Sequence, residues 1–193
     1  MNDNLITRNG INYRIRIEQD TDAQDPFKND EGLGDIFTLH RHSRTLAKAE
    51  NAIKNNKDAV LLSVYSHSGE YWSVRGELPA MMQCGFDSVA VAGVWIPNEC
   101  LEEELKELDK TARKERCEIL ARQACEVYNQ YLSGDVWGFI IEKQNQCSAC
   151  KHEEWEHIHS CWEFYGYETA SEAAKLNLEY HISEESKLKG GAA

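Results

Sequence analysis

The chain has 193 residues, 33 Asp and Glu against 21 Lys and Arg, a formal net charge of −12 and 41% hydrophobic residues. That length supports a real core without disulfides or metal, and the apolar fraction excludes general disorder. The charge argues against a protein whose task is to grip nucleic-acid phosphate or an anionic membrane, and no apolar run approaches the roughly 18 residues of a membrane span.

The N-terminus, MNDNLITRNG, lacks a basic region followed by an apolar stretch, so no signal peptide is expected. Ile11, Tyr13, Ile15 and Ile17 alternate with Asn12, Arg14 and Arg16, the period of a half-buried strand. Glu18 to Asp35 follows as a turn-rich loop with Pro26, Gly32 and Gly34. Its seven acids against Lys28 leave a net −6, half the chain's total. A short strand is predicted at Ile36–His40 and a helix at Thr45–Asn55, with Leu46, Ala49, Ala52 and Ile53 on one face. Ala59–Tyr65 reads as a buried strand, paired with Glu70–Val74 across His67-Ser68-Gly69. Ser88–Ile96 is another strand, ended by Pro97.

Asn98 then caps a helix whose first turns carry Glu99, Glu102, Glu103 and Glu104, as the helix dipole prefers. Its apolar face runs through Leu101, Leu105, Leu108, Ala112, Leu120, Ala121, Ala124, Tyr128 and Tyr131 to Gly134, with a break expected near Glu115. Val136–Ile141 and Trp155–Tyr165 are predicted partner strands, Ala170–Ile182 a final amphipathic helix, and 187–193 a flexible tail. The predicted fold class is α+β: one domain over 1–186, a mainly antiparallel sheet packed with two principal helices, and a hairpin tip at 146–158.

Seven cysteines, an odd count, speak against a disulfide framework. Cys100, Cys117 and Cys125 fall in helical positions as small core residues. Cys147 and Cys150 form a CxxC beside several histidines, the usual half of a tetrahedral zinc site. On an extended strand, Trp155, His157, His159 and Cys161 share one face. Cys161 then stands about 13 Å beyond His157 at roughly 3.3 Å per residue, too far to share an ion with it. The expected ligand set is therefore Cys147, Cys150, His152 and His157, a closed structural zinc knuckle rather than a catalytic centre. The same segment reads equally well as a hairpin tip with two free thiols and solvated histidines.

Asp20, Asp22 and Asp25 resemble a calcium loop only superficially. Gln24 and Asp25 stand where that pattern needs a ligand and a glycine, and no helix precedes them. His40, His67, Asp87 and Asp135 sit at predicted element ends, where sites are often assembled, and they form the candidate acid–base or metal constellation. No nucleophile elbow, phosphate loop, HExxH or dinucleotide fingerprint is present.

Three blocks carry a resemblance to a known family: IEQDTDAQDPFKNDEGLGDIFTLHRHSR, VYSHSGEYWSVRGELPAMMQCGFDSVAVAGVWIP, and EVYNQYLSGDVWGFIIE with the later HIHSCWEFYG. In this order they resemble a family of small accessory proteins of tailed bacteriophages. The segment 75–84 is longer than the family pattern, and a Pro-Trp pair before Cys84 is missing. The resemblance implies a phage-encoded protein acting in the host bacterial cytoplasm and carries no established activity with it.

Two functions are expected from different classes. The first is an acidic interaction protein that inhibits a host nucleic-acid-handling defence system, of restriction or CRISPR type, by protein–protein binding without contacting nucleic acid or membrane. Its contact residues would be Asp20, Asp22, Asp25, Asp30 and Glu31 in the loop, and Glu102 and Glu103 on the long helix. The alternative is a metal-dependent hydrolase of a nucleotide or phosphate compound built on His40, His67, Asp87 and Asp135. Convergence of those four side chains in one pocket favours the enzyme.

Overall fold

The computed structural model describes residues 4–28, 32–146 and 150–190. The fold is α+β. In chain order its elements are β1 (Asn4–Arg8), β2 (Ile11–Gln19), β3 (Asp35–Thr38), α1 (Leu46–Asn55), β4 (Val60–Ser66), β5 (Glu70–Val74), β6 (Ser88–Ile96), α2 (Glu99–Leu105), α3 (Lys110–Ser133), β7 (Val136–Gln146), β8 (Glu153–Tyr165) and α4 (Tyr167–Gly190). Every strand pair is antiparallel, as expected, but the strands sort into two sheets rather than one: β1-β2-β7-β8 and β3-β6-β4-β5. The chain divides into two compact units, Met1–Ala23 with Gly134–Ala193, and Gln24–Ser133. In sequence, the second unit is an insertion between β2 and β7 of the first.

In the discontinuous unit the alternation read from the sequence decides which side of β2 is buried. Tyr13 and Ile15, each 2% exposed, pack with Phe139, Ile141, Ala174 and Leu178 between the sheet and α4. The opposite face carries Arg14 and Arg16, both bonded through Nε to Glu142 Oε2 at 2.8 and 3.2 Å, and the Arg14 guanidinium lies 4.4 Å from the centre of the Trp155 ring. Strand β1, absent from the predicted elements, pairs with β2 across Asn9-Gly10. Both turn residues have positive φ, 52° and 76°, the conformation that a two-residue hairpin with Asn-Gly supplies.

β8 departs from regular alternation. Its register slips between the pairs Ile141–His159 and Glu142–His157, which leaves Ile158 as a bulge residue. His157 therefore lies on the Arg14 and Arg16 face, opposite Glu142. His159 lies on the α4 face, 5.3 Å from the His181 ring and 5.8 Å from Phe139. The expected single row of Trp155, His157, His159 and Cys161 is thus corrected, because one inserted residue reverses the side to which the following residues point.

In the inserted unit, α3 packs on one sheet face through Cys117, Leu120, Ala121, Ala124 and Cys125, and α1 packs on the other through Ala49 and Ala52 against Val94. Asn98 caps α2 as expected, its side chain accepting from Leu101 N at 3.1 Å. The helix break falls at 106–109 and not near Glu115. Asp109 Oδ1 accepts from Thr111 N and Ala112 N at 2.8 and 3.0 Å and opens α3 as a new helix. The Ala112 and Thr111 N–H groups hold the Asp109 carboxyl below its ordinary value. Arg113 then ties the junction together. It grips Asp58 with two bonds of 2.7 and 2.6 Å and donates to Leu105 O at 2.9 Å. The final helix α4 begins at Tyr167 and runs to Gly190, longer than the predicted Ala170–Ile182 and into the segment expected as a tail. Among the described residues no helix is long and apolar enough to cross a membrane.

β5 is an edge strand, yet its central backbone is not left open. Asn129 on α3 accepts from Trp72 N at 2.7 Å and donates to Trp72 O at 2.8 Å, standing in for a neighbouring strand. Asn129→Ala is expected to lower stability by about 2 kcal/mol in urea unfolding, and Asn129→Asp, which keeps the acceptor but sets a carboxylate oxygen against Trp72 O, by at least as much.

Of the three helical cysteines expected in the core, Cys117 and Cys125 are buried, whereas Cys100 in the first turn of α2 is exposed. Burial pushes the Cys117 thiol up to about 11 and the Cys125 thiol up to about 12. A thiol reagent at pH 8 is therefore expected to label the exposed Cys100, Cys150 and Cys161 in the native chain and to reach Cys117 and Cys125 only after unfolding.

Candidate functional site

The local irregularity that matters most lies in β6. Between the pairs Leu62–Gly93 and Val64–Val89, β6 holds two more residues than β4. The extra length bulges at 90–92, and its carbonyls find partners outside the regular ladder. Ser63 Oγ donates to Ala90 O at 3.0 Å, and Leu39 N donates to Ala92 O at 2.8 Å. Bulges bend a strand and re-aim its side chains. Here the bulge leaves Val89 50% exposed and opens a cleft of about 630 Å³ within the inserted unit.

The floor of the cleft is apolar, formed by Ile36, Val64, Val89, Val91 and Ala92. One wall is aromatic. Phe27 meets Tyr128 edge-on at 5.2 Å and 71°, and Trp72 lies 6.3 Å from the same Tyr128 ring, which in turn stacks on Tyr131. Phe27 enters through a turn closed by Asp25, whose Oδ1 accepts from Phe27 N at 3.0 Å. Trp72 sits over Gly93, where an added Cβ would stand 2.9 Å from the ring, and its Nε1 donates to Glu70 Oε2 at 3.1 Å. The rim carries the Thr38, Ser43 and Ser66 hydroxyls and the exposed His40 and His42, whose rings stand 5.6 Å apart. Among the described lining residues, those with a permanent charge are Asp25 and Glu70, and both are acids. Aromatic faces and carboxylates on an apolar floor suit a cation attached to an apolar body, through ring quadrupoles and direct ion pairing.

Of the four candidate catalytic residues, the structure brings two together. His67 Nδ1 lies 3.2 Å from Asp87 Oδ2, and the Cys84 thiol donates to the same oxygen at 3.5 Å. His40 lines the cleft, whereas Asp135 belongs to the discontinuous unit and accepts from Trp137 Nε1 at 2.6 Å. Among the described residues no three His, Cys, Asp or Glu side chains gather as a metal-binding group. Of the expected zinc ligands, Cys147 lies outside the described residues. Cys150 and His152 are exposed in the β7–β8 turn, and His157 stands within β8 opposite Glu142.

The acids expected to make contacts are divided in their roles. Asp30 and Glu31 lie outside the described residues. Asp20 is occupied in the fold, accepting from Asp22 N at 3.1 Å and from Glu163 N at 3.2 Å. Asp22 is exposed, and Asp25 walls the cleft. Glu103 pairs with Lys106, and Glu102 lines a different groove beside Arg113. Sequence reasoning missed Phe27, Glu70, Trp72 and Tyr128 as site residues. The available signal was Phe27 itself, an aromatic side chain in an otherwise polar loop. Comparison of the chain with protein-family models, curated proteins and solved structures finds no match.

The cleft's electrostatics are open to a direct test. Burial pushes the Tyr128 phenol above its ordinary value, and the Asp25 and Glu70 carboxylates raise it further. A phenol raised in this way ionises later because its anion is disfavoured. Tyrosinate absorbance, with Tyr128→Phe as the reference, is expected to place Tyr128 above the ordinary phenol value of 10.0. Asp25→Asn with Glu70→Gln should move it back toward that value. Ionisation of Tyr128 at or below the ordinary value would contradict the geometry.

Proposed function

We propose that this chain is an interaction protein that receives a cationic group of a partner protein in the cleft of its inserted unit. The observation that carries the reading is the joint presence of Phe27, Trp72 and Tyr128 with Asp25 and Glu70 around an apolar floor. An Arg or Lys side chain offers the matching chemistry: an apolar stem for the valines and a cationic head for the rings and carboxylates. The net charge of −12 draws a basic surface toward the site from a distance. Basic surfaces of this kind belong above all to proteins that handle nucleic acid. The partner we propose is accordingly a component of a host bacterial defence system of restriction or CRISPR type, with the chain acting as a phage-encoded inhibitor. Met81 and Phe86, 87% and 101% exposed in the loop between β5 and β6, provide apolar contact area in the same unit.

Affinity capture from a bacterial host lysate tests this when run with the native chain and with the Asp25→Asn, Glu70→Gln variant. A partner bearing a basic segment should be enriched on the native chain and lost on the variant. It should also be released near 1 M salt, where the screening length falls to about 3 Å. A partner held equally by both chains, or indifferent to salt, would overturn the reading.

A further inference from the structure

The inserted unit carries a second concavity of opposite electrical character, a groove of about 720 Å³ lined by α1, the loop after it, and the α2–α3 junction. Its floor is apolar, made by Phe37, Ala52 and Ile96. Lys48, Asn51 and Asn55 follow one another at i, i+3 and i+7 on α1, so they share one helix face along the groove. Lys57, Lys106 and Arg113 complete the cationic lining against two acids, Asp58 and Glu102.

Pairing decides the local balance. Asp58 is 9% exposed and is consumed by the bidentate grip of Arg113, so that pair is internally neutral. Lys106 is engaged by Glu103. Among the described residues, no carboxylate stands within ion-pair distance of Lys48 or Lys57. The Lys48 ammonium lies over the Phe37 ring, 5.6 Å from its centre, so that ring supports the lysine at one end of the apolar floor. Glu102 is the one lining acid without an ion-pair partner among the described residues, so set against it the two lysines leave a small local excess of positive charge in a chain of net charge −12. Asn55 Nδ2 donates to Asn51 Oδ1 at 2.6 Å, which leaves the Asn51 amide hydrogens and the Asn55 carbonyl as a neutral donor and acceptor beside the lysines.

We propose that this groove binds a small organic phosphate of mononucleotide size, with Lys48 and Lys57 drawing the phosphate, Phe37 backing Lys48, Ala52 and Ile96 under the planar body, and the Asn51–Asn55 pair on its hydroxyl or amide groups. The volume suits a ligand of that size. Ammonium groups beside a low-dielectric floor make charge-assisted bonds to phosphate oxygens that are stronger than neutral ones. The site is distinct from the acidic cleft and does not depend on what that cleft takes.

Calorimetric titration of the full chain with AMP, and separately with inorganic phosphate, tests the assignment. AMP should bind, and inorganic phosphate should bind more weakly because it leaves the apolar floor unused. Lys48→Ala with Lys57→Ala should weaken AMP by about tenfold or more. Glu102→Gln, which removes the groove's unpaired acid and leaves the Arg113–Asp58 pair in place, should tighten it. Glu70→Gln in the other cleft should leave it unchanged. Absence of AMP binding at millimolar concentration overturns the proposal. So does AMP binding that survives the double lysine variant, and so does equal binding of AMP and inorganic phosphate. Native circular dichroism of each variant separates loss of the site from loss of the fold.

Discussion

The inserted unit depends on how Trp72 is held. Its backbone is fixed on the outer side by the Asn129 amide, its ring lies over Gly93, and its indole N–H reaches Glu70. Each contact sets one feature of the cleft. The Asn129 bracket fixes where β5 stands against α3, and so where Tyr128, one residue before Asn129, places its ring. Gly93 admits the indole because it has no side chain: a Cβ there would come within 2.7 Å of Phe37 O and 2.9 Å of the ring. The bond to Glu70 positions one of the two cleft carboxylates. A small polar residue, a missing side chain and a large aromatic ring thus set the geometry together.

Charge follows the same logic of local use. The bulk value of −12 describes neither the acidic cleft nor the basic groove. Asp20 is spent on a β8 bulge, where it accepts from Glu163, a residue held at a φ of 65°. Asp109 starts α3, and Asp58 neutralises Arg113. The charge that lines the two concavities is uneven. Asp25 and Glu70, which also accept from Phe27 N and Trp72 Nε1, face one concavity of the inserted unit, and Lys48 and Lys57 line the other. A partner or ligand meets that distribution and not the sum.

Much of the architecture was legible where one face of an element is buried and the other is wet. Ile11 to Ile17, Val60 to Val64 and the Leu101–Leu105 pair follow their periods because burial selects apolar residues at fixed spacing. Asn98 was legible as a cap because its side chain bonds within its own turn. The β1 hairpin was missed although Asn9-Gly10 is a strong turn signal, because the strand before it is short and mostly exposed. The break before Lys110 was missed because the apolar spacing runs on through Leu108 and Ala112 while the Asp109 cap interrupts the backbone. The bulges in β6 and β8 were not read. Gly93, inside the β6 pattern and beside its bulge, is a glycine of the kind that signals one, but which residues are left over is set by the register of the paired strands.

The sequence by itself determined the α+β class, the antiparallel pairing, most element positions, the capped acidic start of α2 and the burial of Cys117 and Cys125. These depend on periodicity and on contacts within a few residues. Only the tertiary structure decided that the strands form two sheets, that one compact unit is inserted into the other, and that His157 and His159 face opposite ways. It also decided which charges stand together: Asp25 with Glu70 at one site, and Lys48 with Lys57 at another. The reason is that a binding site joins side chains distant in sequence, and their meeting is set by strand register and helix packing, which local patterns do not encode.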